Sequence, residues 1–152
     1  MRAIATRLLL LAAVLFVFGC GDNNSPNVNG NWVATTTSNA GGQALTITFA
    51  MQEGTANGNT APVTFSNFTF TPTNSCFDNT ANASGTITEP VQAGATRNMT
   101  VDLFSGAGGT GNHAVLTLTI DPSNNAMNGT YSLTGTVNAC NSDNGSIIVN
   151  RQ

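Results

Sequence analysis

The chain of 152 residues sets four arginines and no lysine against seven carboxylates, a net charge of −3 at pH 7, with charged residues making up only 7% of the whole. Nucleic-acid binding needs a basic face, which so few cations cannot supply, so a polyanionic partner is argued against at the outset. The length suits one domain with a single core, and its surface must be kept wet by Thr, Ser and Asn instead of by charge.

The first segment reads as an address. Arg2 and Arg7 precede an apolar run from Leu8 to Phe18, closed by the small residue Gly19. These are the n-region, h-region and cleavage site of a secretory signal. The run is too short for a membrane span, which needs ~20 apolar residues. Cys20 follows directly, and Val17-Phe18-Gly19-Cys20 resembles the bacterial lipobox. The resemblance implies that residues 1–19 are cleaved and that Cys20 takes a diacylglycerol and becomes the mature N-terminus. One acyl chain anchors only marginally and two anchor stably, so the implied partner is the membrane itself. With Gly21 after the cysteine, the expectation is an exported protein lipid-anchored in the bacterial cell envelope, at the outer membrane. Removal of the signal leaves two arginines against seven carboxylates, a net charge of −5.

Residues 20–29 are the lipidated cysteine and a flexible tether, because Asp, Asn, Ser, Pro and Gly with one Val cannot bury enough apolar surface to fold. Residues 30–152 form a single all-β domain. Helical periodicity is missing there, and period-two alternation of Thr, Val, Ile and Phe between Gly, Asn, Pro and Ser clusters marks strands and turns. Trp32 to Thr37 is the first strand, and Leu45 to Met51 the second. Asn57-Gly58 turns the chain into a third, Val63 to Phe70. Val63 and Phe65 have one parity there and Phe68 and Phe70 the other, so a β-bulge near Ser66-Asn67 is expected to bring all four to one face. Ser84 to Glu89, Met99 to Phe104 and Ala114 to Ile120 follow. Asp121-Pro122-Ser123-Asn124 has type I turn chemistry, Thr130 to Val137 is the seventh strand, a loop holds Cys140 and Asn144-Gly145, and Ser146 to Arg151 is the eighth.

Eight short strands joined by hairpin-length loops suit an antiparallel up-and-down barrel, with a two-sheet, Ig-like sandwich as the alternative. Two cysteines remain after the signal, and an even count in an exported chain predicts one bridge, Cys76 to Cys140. In an eight-stranded meander the loops after strands three and seven share a rim, which favours the barrel. Gly30-Asn31-Trp32 opens the first strand and Arg151 ends the last. This resembles the lipocalin-like barrels of the calycin group, which begin with Gly-x-Trp and lay a basic side chain across that Trp. The resemblance implies closure through Trp32 and Arg151 and a cavity for a small apolar ligand or lipid. The candidate lining is Phe49, Phe65, Phe68, Phe70, Leu103, Leu118, Tyr131 and Leu133. An eight-stranded barrel is the size at which side chains either fill the interior or leave room for one small ligand. The rival expectation is a packed barrel or sandwich that serves as a structural or interaction lipoprotein.

No catalytic, metal or cofactor motif is recognisable. His113 is alone of its type, with Asp102 and Asp121 the nearest carboxylates in sequence, and supplies neither a metal cluster nor a triad. The glycine run from Gly106 to Gly111 lacks the lysine of a phosphate loop and joins two strands. The chain is therefore expected not to be an enzyme.

Overall fold

The computed structural model describes residues 27–42, 44–72, 76–90, 96–106, 111–135, 140 and 142–152; Cys20, the signal segment and most of the tether lie outside them. The eight strands are β1 (Gly30–Ser38), β2 (Thr46–Glu53), β3 (Thr60–Thr71), β4 (Asn82–Thr88), β5 (Arg97–Phe104), β6 (His113–Ile120), β7 (Ala126–Thr134) and β8 (Asp143–Arg151). Each pairs antiparallel with its chain neighbour, and β1 pairs with β8 from Trp32↔Arg151 to Ser38↔Gly145. The result is a closed up-and-down barrel, with no free sheet edge of the kind a sandwich would keep.

Closure follows from alternation. Inward positions of β5 are Met99, Val101 and Leu103, and of β8 Ile147 and Val149, all buried. Outward positions such as Thr86, Thr100, Thr117, Thr119 and Thr130 are exposed. A lipid-facing barrel wall would be apolar at those positions, so this wall is built to face water.

The bulge sits in β3. Thr48 pairs with Thr69 and Ala50 with Ser66, so β3 spends one residue more than β2 across that step. Asn67 absorbs it at φ 58, a left-handed conformation that Asn tolerates better than most residues. Val63, Phe68 and Phe70 are consequently buried together, with Phe65 packed against them. Beyond the bulge the wall divides, because β3 pairs with β4 only from Thr60 to Thr64. The β3–β4 connection returns over this division and stacks Phe77 on Phe70, ring centroids 5.7 Å apart.

Three boundaries differ from the sequence reading. β7 begins at Ala126, four residues before the expected Thr130, and so takes in Asn128-Gly129; Asn144-Gly145, expected in a loop, lies within β8. A Cβ at Gly129 would stand 1.9 Å from the Thr117 carbonyl oxygen, and one at Gly145 1.9 Å from that of Thr37; these glycines are present for close backbone approach. Of the expected seventh strand, Thr130 to Val137, the last two residues lie outside the described residues. The third difference is at the tether, whose final residues belong to the domain. Val28 is fully buried, its N–H donates to Glu53 Oε2 at 3.1 Å, and its carbonyl accepts the Trp32 indole N–H at 2.9 Å.

Candidate functional site

The two ends of the barrel are built differently. At the rim where the chain enters and leaves, Arg97 is buried and held by Glu53, by Glu89 at 2.9 Å from its Nε and by Asn124 Oδ1 at 2.9 Å. Arg151 lays its guanidinium 4.8 Å from the centre of the Trp32 ring. It also donates to the carbonyls of Asn29 at 2.6 Å, Asn27 at 2.8 Å and Asn124 at 2.9 Å. Buried charges must be paired and hydrogen-bonded to be tolerated, as Arg97 is; Arg151, half-buried, is held by carbonyls and the Trp32 ring. With Trp32 and Val28 fully buried beneath them, this end is shut.

The opposite rim carries the disulfide, Cys76 to Cys140, with Cα atoms 5.5 Å apart. It ties the β3–β4 connection to the one after β7, as the meander requires. Closing a loop of 64 residues stabilises the fold by roughly 4 kcal/mol on the chain-entropy account. Beside it Tyr131 donates to Asp143 Oδ2 at 2.8 Å and Ser38 donates to Oδ1 at 2.7 Å. Partial burial, then the bond to Asp143, pushes the Tyr131 phenol up to about 12, so the phenol keeps its proton and Asp143 stays the acceptor.

Between the rims lie two cavities in line. The one at mid-barrel, of about 30 Å³, is lined entirely by apolar side chains, among them Phe49, Phe65, Phe68 and Leu118. The other, of about 60 Å³, lies toward the disulfide rim among Leu45, Phe77, Leu133, Tyr131, Asp143 and Thr36. Ile47, Leu103, Leu116 and Ile147 face both and form the partition. A broader groove of about 440 Å³ runs on the outer wall beside the bulge, lined by residues such as Asn29, Gln52 and Thr64.

The eight candidate lining residues therefore divide. Phe49, Phe65, Phe68 and Leu118 face the mid-barrel cavity, Tyr131 and Leu133 the rim cavity, and Leu103 both. Phe70 lines neither; it is sandwiched between Phe68, at 6.0 Å, and Phe77, because the bulge that turns it inward also places it under the β3–β4 connection. Sequence reasoning missed Phe77, which sits in a loop without alternation, and Asp143, whose side chain reaches the interior only because β8 begins three residues before the expected Ser146.

His113, read from sequence as supplying neither a metal cluster nor a triad, meets Asp102 at 2.9 Å on the outer wall, where Phe104 stacks on the imidazole at 4.4 Å. Among the described residues no cluster of His, Cys, Asp or Glu could hold a metal ion.

No protein-family model matches the chain, and no curated protein sequence matches it. Among solved structures it is similar to that of a redesigned beta barrel, mFAP1, bound to DFHBI, at 14% sequence identity and a TM-score of 0.49, over 82% of this chain and 94% of that one.

Proposed function

We propose that this chain is a lipid-anchored lipoprotein of the bacterial envelope whose barrel holds a small apolar ligand, without catalysis. The observation that carries the reading is the apolar interior with its two aligned gaps, shut at one rim by Trp32 and Arg151 and lined at the other by Tyr131 and Asp143. Ligand pockets commonly run from ~300 Å³ upward, so the size of these cavities sets a condition. The resting interior admits only a molecule of few heavy atoms, and anything larger requires the partition residues Ile47, Leu103, Leu116 and Ile147 to change rotamer and merge the two spaces. His113 and Asp102 pair on the outer wall, apart from the space in which a ligand would sit.

Small cavities also favour a second reading, a packed barrel whose loops meet other envelope components. The two are separated by a thermal-shift screen of the purified protein against short fatty acids, isoprenoids and single-ring aromatics. A ligand that binds only the native state raises the melting temperature with its concentration over its dissociation constant. The carrier reading expects a shift with at least one apolar class, lost in Leu118→Trp, which fills the mid-barrel cavity. No shift with any class, together with marked destabilisation by the added indole, means a packed interior.

A further inference from the structure

Among the described residues Asp143 is the one charged side chain facing either cavity, and no described cation is near it. Arg97 and Arg151 are both committed at the far rim, and His113 is paired with Asp102 on the outer wall. Nor does the sequence contain a lysine. The carboxylate is nonetheless fixed in place by three donors from three positions: the Ser38 hydroxyl, the Tyr131 phenol and the backbone N–H of Asn144 at 2.9 Å. Neutral donors orient an anion without neutralising it, and a half-buried carboxylate at the mouth of an apolar space attracts a cation more strongly than one in open water.

The adjoining surface has the complementary character. Leu45, Phe77, Leu116 and Leu133 offer aliphatic and aromatic contact directly below the carboxylate, and the Tyr131 ring presents a face that favours a cation. We infer that the rim cavity takes the protonated amine of a short apolar molecule, its ammonium on Asp143 and its tail between Phe77 and Leu133. This deepens the carrier reading and rests on it. A free carboxylic acid would be repelled by Asp143, and a neutral alcohol could donate one hydrogen bond to it but would lack the attraction of opposite charges.

Three probes of one tail separate the possibilities: n-hexylamine, n-hexanol and hexanoate, each titrated by thermal shift at pH 7 into the full protein and into Asp143→Asn. The expected result is that hexylamine binds about tenfold tighter than hexanol, through the attraction of opposite charges, and that this margin vanishes in Asp143→Asn, whose fold is checked by circular dichroism. Tyr131→Phe, which keeps the carboxylate, retains the preference for the amine. Equal binding of the three probes, or a preference for hexanoate, overturns the amine site and leaves the carrier reading standing. No response to any of them overturns the amine site, while the carrier reading is decided by the wider apolar screen. If Asp143→Asn does not fold, the amine margin in the native protein must shrink as salt is added; a margin indifferent to salt is not electrostatic and sinks the inference.

Discussion

Tyr131 and Asn124 show how much of this molecule depends on single polar side chains. Asn124, buried and at φ 54, accepts from Arg97 through its side chain and from Arg151 through its carbonyl, so one residue couples both cations of the closed rim. At the disulfide rim Tyr131 is the chain's sole tyrosine, and its phenol is raised to about 12 from an ordinary 10.0. The folded state thus holds that proton where the unfolded chain releases it. Its contribution to stability is complete below pH 10 and is lost as the pH rises from 10 toward 12. With no lysine present, little else titrates in that window. Denaturant midpoints measured across it should fall for the native chain, with the phenolate absorbance rising late, and should stay level for Tyr131→Phe. A native profile as flat as the variant's would refute the coupling.

Among the elements, β3 is the one whose chain path decides the core. Asn67 is the extra residue that separates the parity of Val63 and Phe65 from that of Phe68 and Phe70, so deleting it would place all four on one parity and keep the inward set without a bulge. Asn67→Gly should keep the fold at a cost within about 1 kcal/mol. Asn67→Val, β-branched at a positive φ, should lose about 2 kcal/mol, whereas the deletion, which removes the left-handed residue and leaves the four apolar side chains on one face, should keep a native-like near-ultraviolet circular dichroism signal. A deletion variant that loses this signal would show that the bulge serves the bend of β3 as well as its parity. The need for this bulge was readable from the change of parity between Phe65 and Phe68, and strand alternation made the barrel legible from Leu45 to Ile120. Gly129 and Gly145 were not legible. An Asn-Gly pair has the same letters whether it turns or lets two backbones touch, and only the neighbouring carbonyls of Thr117 and Thr37 distinguish the cases. The Glu53–Arg97–Glu89 contacts were silent for a similar reason: they join three loops' worth of separated sequence that only barrel closure makes adjacent. Much of the cavity lining could be read from alternation, whereas Phe77 and Asp143 depend on how the connections fold back.

For the molecule as a whole, the outer wall and the proposed anchor address the same problem of staying dispersed at low charge. Rows of exposed Thr run across neighbouring strands, as in Thr86↔Thr100 and Thr100↔Thr117, and hydrate the surface without ions. Fixing the chain to a bilayer through Cys20 would remove the remaining need for charge repulsion between copies. Cys20→Ser tests the anchor: the variant should leave the membrane fraction or accumulate unprocessed when cells are fractionated. A Ser variant that is cleaved and remains membrane-bound would dispose of the lipoprotein reading.

The pairing of Trp32 with Arg151 also determines how the barrel answers a mechanical load. Its two ends leave from one rim on antiparallel neighbours, so tension between them peels the β1–β8 ladder a bond at a time, the geometry of a zipper and not of a shear joint. Once that seam parts, the Cys76–Cys140 link takes the strain across 64 residues and withholds about 220 Å of extended chain. A tug on the termini would therefore unfasten the first and last strands while the middle of the molecule stayed looped, ready to close again when the force is released.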